Sequence, residues 1–227
     1  MIFDLFREGF SYMTVLKIGI RLMIILLFLP VHEYAHGYVA YKLGDRTAKN
    51  MGRLTLNPVA HIDPFGLLLS LLTGIGYAKA VPVSVLSFRP EHRKRNMALV
   101  ALAGPASNIV LAAIFVLLFN ILAVTGNAYE GTFTGNLAVV CSLGASCNVS
   151  LAVFNLLPVP PLDGSRILSV VLPDRYYFKV MQYERQIGLV FIVLVLTGAL
   201  DGVISTLSSF LLSGIDFAVS FPFSFIN

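Results

Sequence analysis

Charged side chains are scarce in this chain, tryptophan is absent, and cysteine occurs twice in 227 residues. Asp, Glu, Lys and Arg make up 12% of the sequence, where a soluble domain carries about 25%. That deficit leaves too few solvated groups to cover a water-soluble globule. Hydrophobic residues reach 57%, against about 45–50% in soluble domains, so the chain reads as a membrane protein. Cys141 and Cys147 fit no Cys-x-x-Cys pattern and build no disulfide framework; both are expected as buried free thiols. The net charge is +4, but the basic residues cluster at loops instead of alternating with aromatics on a polar face. Nucleic acid is therefore not implied as a partner, and the bilayer is.

What the chain does have is long apolar runs. At about 20 residues per spanning helix, its length holds about four to six membrane segments and no separate soluble domain. Residues 1–227 are thus expected to form a single membrane-embedded, all-α polytopic domain. The first residues carry Asp4, Arg7 and Glu8 and lead into an apolar segment without a small-residue cleavage site, so no cleaved signal peptide is expected. Spans are expected at about 11–41, 97–124, 137–157 and 187–212. Pro30 should kink or locally open the first helix just before His32, and Gly198, Asp201 and Gly202 should bend or divide the last. Residues 64–78 are too short to cross and read as re-entrant. Gly52 to Pro58 and Val81 to Phe88 read as extended strands, together a short membrane-associated β-hairpin.

One pattern stands out inside the first span: His32-Glu33-Tyr34-Ala35-His36. On a helix, residues four apart differ by about 40° and rise by about 6 Å, so both imidazoles can share one metal ion. Glu33, one step round, can reach a metal-bound water as general base, the arrangement of His-Glu-x-x-His zinc hydrolases. Ionisable groups at bilayer depth cost several kcal/mol and mark functional sites. The bland alternative is a structural helix whose two histidines are satisfied by core hydrogen bonds.

A catalytic zinc takes three protein ligands and keeps one position open. Of the acidic residues, Asp163 is best placed to be the third. It follows a span and a proline-dense break, Pro158-Val159-Pro160-Pro161-Leu162-Asp163-Gly164, and such breaks are tolerated at membrane depth only where they are buried or line a cavity. The alternative is a helix-ending loop at the interface. Three motifs now coincide: His-Glu-x-x-His at 32–36, Asn-x-x-Pro-x-Pro-x-Leu-Asp-Gly at 155–164, and Ala-Gly-Pro-x-x-Asn at 103–108. Together they resemble the site-2 proteases, intramembrane zinc metalloproteases, in their compact prokaryotic form.

The resemblance implies one zinc per chain held by His32, His36 and Asp163, Glu33 as base, and Asn155 as a group that orients substrate or stabilises the oxyanion. It also implies a multi-pass protein of a prokaryotic inner or plasma membrane that cuts single-span membrane proteins. Many members add a PDZ or CBS domain; this length leaves room for neither, so regulation is expected to be minimal or supplied by partners. Oligomeric state stays open. The two extended segments could accept substrate by strand addition or form a packed hairpin, and His61 could assist the metal site or be an ordinary loop histidine.

Other classes fit less well. No Gly-x-Ser-Gly nucleophile exists for a serine intramembrane protease, and Gly44-Asp45 lacks the second Asp of an aspartyl type. A zinc transporter would line a polar path through several spans, whereas the donors here gather at one place. A non-catalytic binding module would not need Glu33 intact beside its ligands.

Basic residues on both sides of 64–78, namely Lys42, Arg46, Lys49 and Arg53 before it and Lys79, Arg89, Arg93, Lys94 and Arg95 after it, put both loops in the cytoplasm. Single cysteines placed at Lys49 and Arg93, in a chain lacking Cys141 and Cys147, should both react with an impermeant thiol reagent only from the cytoplasmic side. Opposite accessibility would overturn this topology.

Overall fold

The computed structural model describes residue 9 and residues 11–73, 78–124 and 132–221. It is helical: α1 (Tyr12–Lys42), α2 (Thr47–Asn50), α3 (Pro64–Thr73), α4 (Arg93–Val124), α5 (Phe133–Leu156), α6 (Asp163–Val171), α7 (Asp174–Met181), α8 (Glu184–Leu196) and α9 (Asp201–Ser220). By length and composition, three helical stretches among the described residues are apolar enough to cross a membrane: Pro90–Val124, Phe133–Leu156 and Asp201–Ser220. α3, the segment expected to be re-entrant, has 10 residues, about 15 Å, half a bilayer. α8 has 13 residues. α1 has 31 residues, with its apolar run ahead of His32, Glu33 and His36.

The bundle is built around α4. Its buried Ala112 and Val116 meet Ala145, Val149 and Val153 of α5 and Ile215 of α9. Small residues let these backbones approach, which is how helices associate when no hydrophobic force separates protein from lipid. A Cβ at Gly144 would lie 2.8 Å from the Phe115 ring, so α5 presses directly on that ring. Phe115 also meets Phe28 of α1 edge-on, with centroids 5.2 Å apart. It thus marks the junction of α1, α4 and α5.

Several expectations change here. α1 continues as helix through Pro30 instead of opening there. Residues 187–212 do divide, at a turn where Gly198 takes a left-handed φ of 72° that a Cβ would disfavour. Cys141 is buried as expected; Cys147 is only partly so, and neither is in a disulfide.

No strand forms among the described residues, so the expected β-hairpin is absent. The backbone donors it needs are used elsewhere: Val81 N–H goes to Glu33 Oε2 at 2.9 Å and Ser84 N–H to Asp45 Oδ2 at 2.7 Å. Pro82 has no N–H to offer. The other segment ends in a tight turn at Pro58–Ala60, capped by the Asn57 side chain accepting from Val59 N–H. The two segments still touch: the Arg53 guanidinium donates to the Lys79 carbonyl at 2.7 Å, and Lys79 N–H to the His61 carbonyl at 2.9 Å.

Asp45 therefore anchors the 80–88 segment to the end of α1. Burial disfavours its charge, yet the Thr47 hydroxyl and N–H, the Ser84 N–H and the Ser87 hydroxyl together hold its carboxyl below the usual carboxylate range. A carboxyl lowered in the folded state stabilises the fold above its unfolded value, near 3.8, and that contribution is lost as pH falls through the depressed value. Asp45→Asn should lower the thermal midpoint of the detergent-purified protein at neutral pH. The gap from wild type should narrow in a melting series taken down through pH 4; a gap independent of pH would refute the assignment.

Candidate metal centre

His32 and His36 stand one turn apart on the same face of α1, and both are buried. Their Nε2 atoms lie 3.0 Å apart, and each is 3.2 Å from Oδ2 of Asp163. These are the three side chains the sequence singles out, brought together across 131 residues. Among the described residues they form a cluster able to hold a metal ion.

The second nitrogen of His36 is fixed by α4: Nδ1 donates to the Val100 carbonyl at 2.6 Å. A carbonyl can only accept, so in the neutral ring Nε2 keeps its lone pair for a metal. Donors on a tetrahedral zinc at about 2.0–2.2 Å stand about 3.3–3.6 Å from one another. The observed triangle of 3.0, 3.2 and 3.2 Å is slightly tighter than that face, and two imidazoles with one carboxylate form a known zinc donor set.

Two glycines make the convergence possible. A Cβ at Gly104 of α4 would lie 2.6 Å from His32 Nε2 and closer still to His36 Nε2. The α4 backbone thus forms one wall of the centre. Gly164, beside Asp163, packs against the carbonyls of Leu156 and Leu157. This close approach draws the first turn of α6 onto the last turn of α5. Leu162 is held below it by Phe154, Phe191, Val195 and Ile204. Asp163 sits in the first helical turn, where the helix dipole favours a carboxylate.

Glu33 is buried beside the centre, and its carboxylate accepts from Val81 N–H. Asn155 stays outside the cluster: its Nδ2 donates to the Leu151 carbonyl of its own helix at 2.9 Å, although it lies on the α5 turn that Gly164 touches. His61 is also outside. Fully buried, it ties Thr55 to its ring, with Nε2 donating to the Thr55 carbonyl at 2.8 Å, which is the ordinary loop role. Sequence reasoning missed the Val100 carbonyl and the Val81 N–H, since backbone partners leave no residue signature. Gly104 was visible only as part of a small-residue motif.

The family model for "Peptidase family M50" matches residues 127–196, which include Asp163. YwhC of Bacillus subtilis (strain 168) is 40% identical over 192 residues, 84% of this chain and 86% of that protein. Rip2 of Mycolicibacterium smegmatis is 31% identical over 192 residues, 81% of this chain and 70% of that protein. Both are named "Putative zinc metalloprotease". The chain belongs to peptidase family M50, the site-2 proteases. "Zinc metalloprotease MJ0392" of Methanocaldococcus jannaschii is 26% identical over 169 residues, 73% of this chain and 39% of that protein. No solved structure gives a significant match. As an M50 member the chain is a membrane zinc metalloprotease, and the α1–α6 donor triangle fits the metal of its family.

Gly104→Ala would put a methyl group where the two Nε2 atoms face the metal, and Asp163→Ala would remove one corner of the triangle. Both variants, purified and assayed by elemental analysis, should carry far less than one zinc per chain. Near-stoichiometric zinc in Asp163→Ala would rule that carboxylate out as an essential ligand.

Proposed function

We propose that this M50 protein cleaves peptide bonds within or next to the transmembrane helices of single-span membrane proteins, at a centre made by His32, His36, Asp163 and Glu33. The observation that carries this reading is the donor triangle itself. It lies within a bundle of apolar helices, on a stretch of α1 running from Ile18 to Tyr41. A hydrolytic centre among lipid-facing helices has little use for soluble substrates.

His32, His36 and Asp163 would hold the zinc. Bound there, it supplies a Lewis acid that polarises the scissile carbonyl and makes water acidic enough to attack at neutral pH. Glu33, one step round the helix, takes the proton of the attacking water and later passes it to the leaving amine. The Val81 N–H holds that carboxylate against the backbone of the 80–88 segment, so the base does not depend on side-chain rotamer preference alone. Asn155, on the α5 turn packed against Gly164, is the proposed group that orients substrate or receives the developing oxyanion; for that its amide must leave the Leu151 carbonyl.

A substrate helix must unwind before its backbone is attacked. The 52–58 and 80–88 segments lie against α1 at Gly37, where Leu54 and Val81 both come within 3.1 Å of a Cβ position. Val81 of the second segment donates to Glu33, and we assign the two segments to receive the unwound substrate. Multi-pass insertion in a prokaryotic inner or plasma membrane, with both basic loops cytoplasmic, completes the reading.

Glu33→Gln removes only the base. The variant should keep its zinc and lose cleavage of a membrane-helix substrate by at least the roughly 10²- to 10⁴-fold that general acid–base catalysis supplies. Near wild-type cutting by zinc-loaded Glu33→Gln would sink the assignment.

A further inference from the structure

His36 has its outer nitrogen fixed by Val100, but Nδ1 of His32 is buried and has no partner among the described protein groups. That asymmetry is chemically incomplete. A metal-binding histidine ordinarily donates its other ring N–H to a carbonyl, a carboxylate or water, which fixes the tautomer and the ring orientation. A buried N–H left unpaired is destabilising. Two further side chains nearby share the same deficit. Asn108 is fully buried with both Oδ1 and Nδ2 unpartnered, and Asn148 is fully buried with Oδ1 unpartnered.

The helical geometry brings these orphans to one place. On α4, Asn108 is turned about 40° from Gly104 and about 20° from Phe115, with rises of about 6 Å and 10 Å. Gly104 touches the His32 ring and Phe115 touches Phe28, one turn before His32 on α1. Asn108 therefore projects into the α1–α4–α5 junction within about a turn of His32. On α5, Asn148 is one turn from Gly144, the residue pressed on Phe115. α5 runs antiparallel to α4, so that turn leads back toward Asn108.

Donor and acceptor polarity agree along the series. Asn148 Nδ2 already donates to the Gly144 carbonyl at 2.9 Å, which fixes its Oδ1 as the free acceptor. Asn108 Nδ2 can supply that acceptor, and Asn108 Oδ1 is then left to accept from His32 Nδ1–H. None of these bonds is formed as the side chains stand, and one chain of direct or water-bridged bonds would satisfy all four orphaned atoms.

We propose that Asn108 is the positioning residue of His32: its carboxamide oxygen accepts the Nδ1–H, directly or through one bound water, and Asn148 orients that carboxamide. The inference rests on the reading of His32 as a zinc ligand. Asn108 touches neither substrate nor metal and acts through the imidazole, holding Nε2 toward the metal in the correct tautomer.

The test is zinc affinity, measured on purified full-length protein by competition with a chromophoric chelator. Asn108→Leu keeps the volume and removes the acceptor; affinity should fall by roughly 10- to 100-fold, the usual cost of losing such a partner. Asn108→Asp keeps an acceptor and should retain wild-type affinity or exceed it. Equal losses in both variants would mean that Asn108 only packs, and an unchanged Asn108→Leu would also overturn the proposal. If Asn108→Leu does not fold, Asn108→Ala against Asn108→Asp makes the same comparison. His32→Ala separates the two readings. If it keeps zinc, the metal assignment itself fails; if it loses zinc while Asn108→Leu does not, only the role of Asn108 fails.

Discussion

Two imidazoles and a carboxylate can meet at one point inside an apolar bundle only if the backbone around them leaves room for the rings at close contact. Gly104 provides that contact. With no side chain there, α4 passes against the rings of His32 and His36, and the same helix supplies the Val100 carbonyl that turns His36 the right way. Gly164 does the equivalent for the carboxylate by letting α6 start against the end of α5. Without these approaches three polar side chains would sit apart in a low-dielectric interior, each carrying its own desolvation cost. Brought together around one cation, that cost is offset by coordination. The polar groups are thus tolerated because of the packing, and the packing depends on two missing side chains.

A second dependence runs outward from Glu33. Its carboxylate accepts from Val81, and three residues further on Ser84 is tied to Asp45 at the end of α1. Base, loop and helix terminus are linked by two hydrogen bonds to backbone. The arrangement has a functional consequence: displacement of the 80–88 segment by an incoming chain would reach the base directly. It also explains why this segment is not a strand. Its N–H groups at 81 and 84 already serve carboxylates, and a ladder partner would have to compete with charge-assisted bonds, about twice as strong as neutral ones.

The electrostatics of the bundle are correspondingly uneven. α8 and α9 contribute mostly apolar packing, with Phe191, Val195 and Ile204 meeting Phe154 of α5 beneath Leu162. The buried polar groups on α1, α4 and α5 include His32, Glu33, His36, Asn108 and Asn148.

The sequence by itself determined the membrane character, the two histidines with their glutamate, and the aspartate after the proline break. Each of these is written in composition or in fixed local spacing, and a helix converts a spacing of four into a shared face without help from the rest of the chain. Only the tertiary structure decided what surrounds them. The Val100 carbonyl and the Val81 N–H belong to the backbone, which has the same chemistry at every residue and leaves no trace in the letters. The roles of Gly104 and Gly164 depend on which atoms approach them from helices distant in sequence. The expected hairpin failed for the same reason: alternation and β-branching favour extension locally, but donors claimed by Glu33 and Asp45 from α1 and the turn after it are long-range partners that no local pattern can announce.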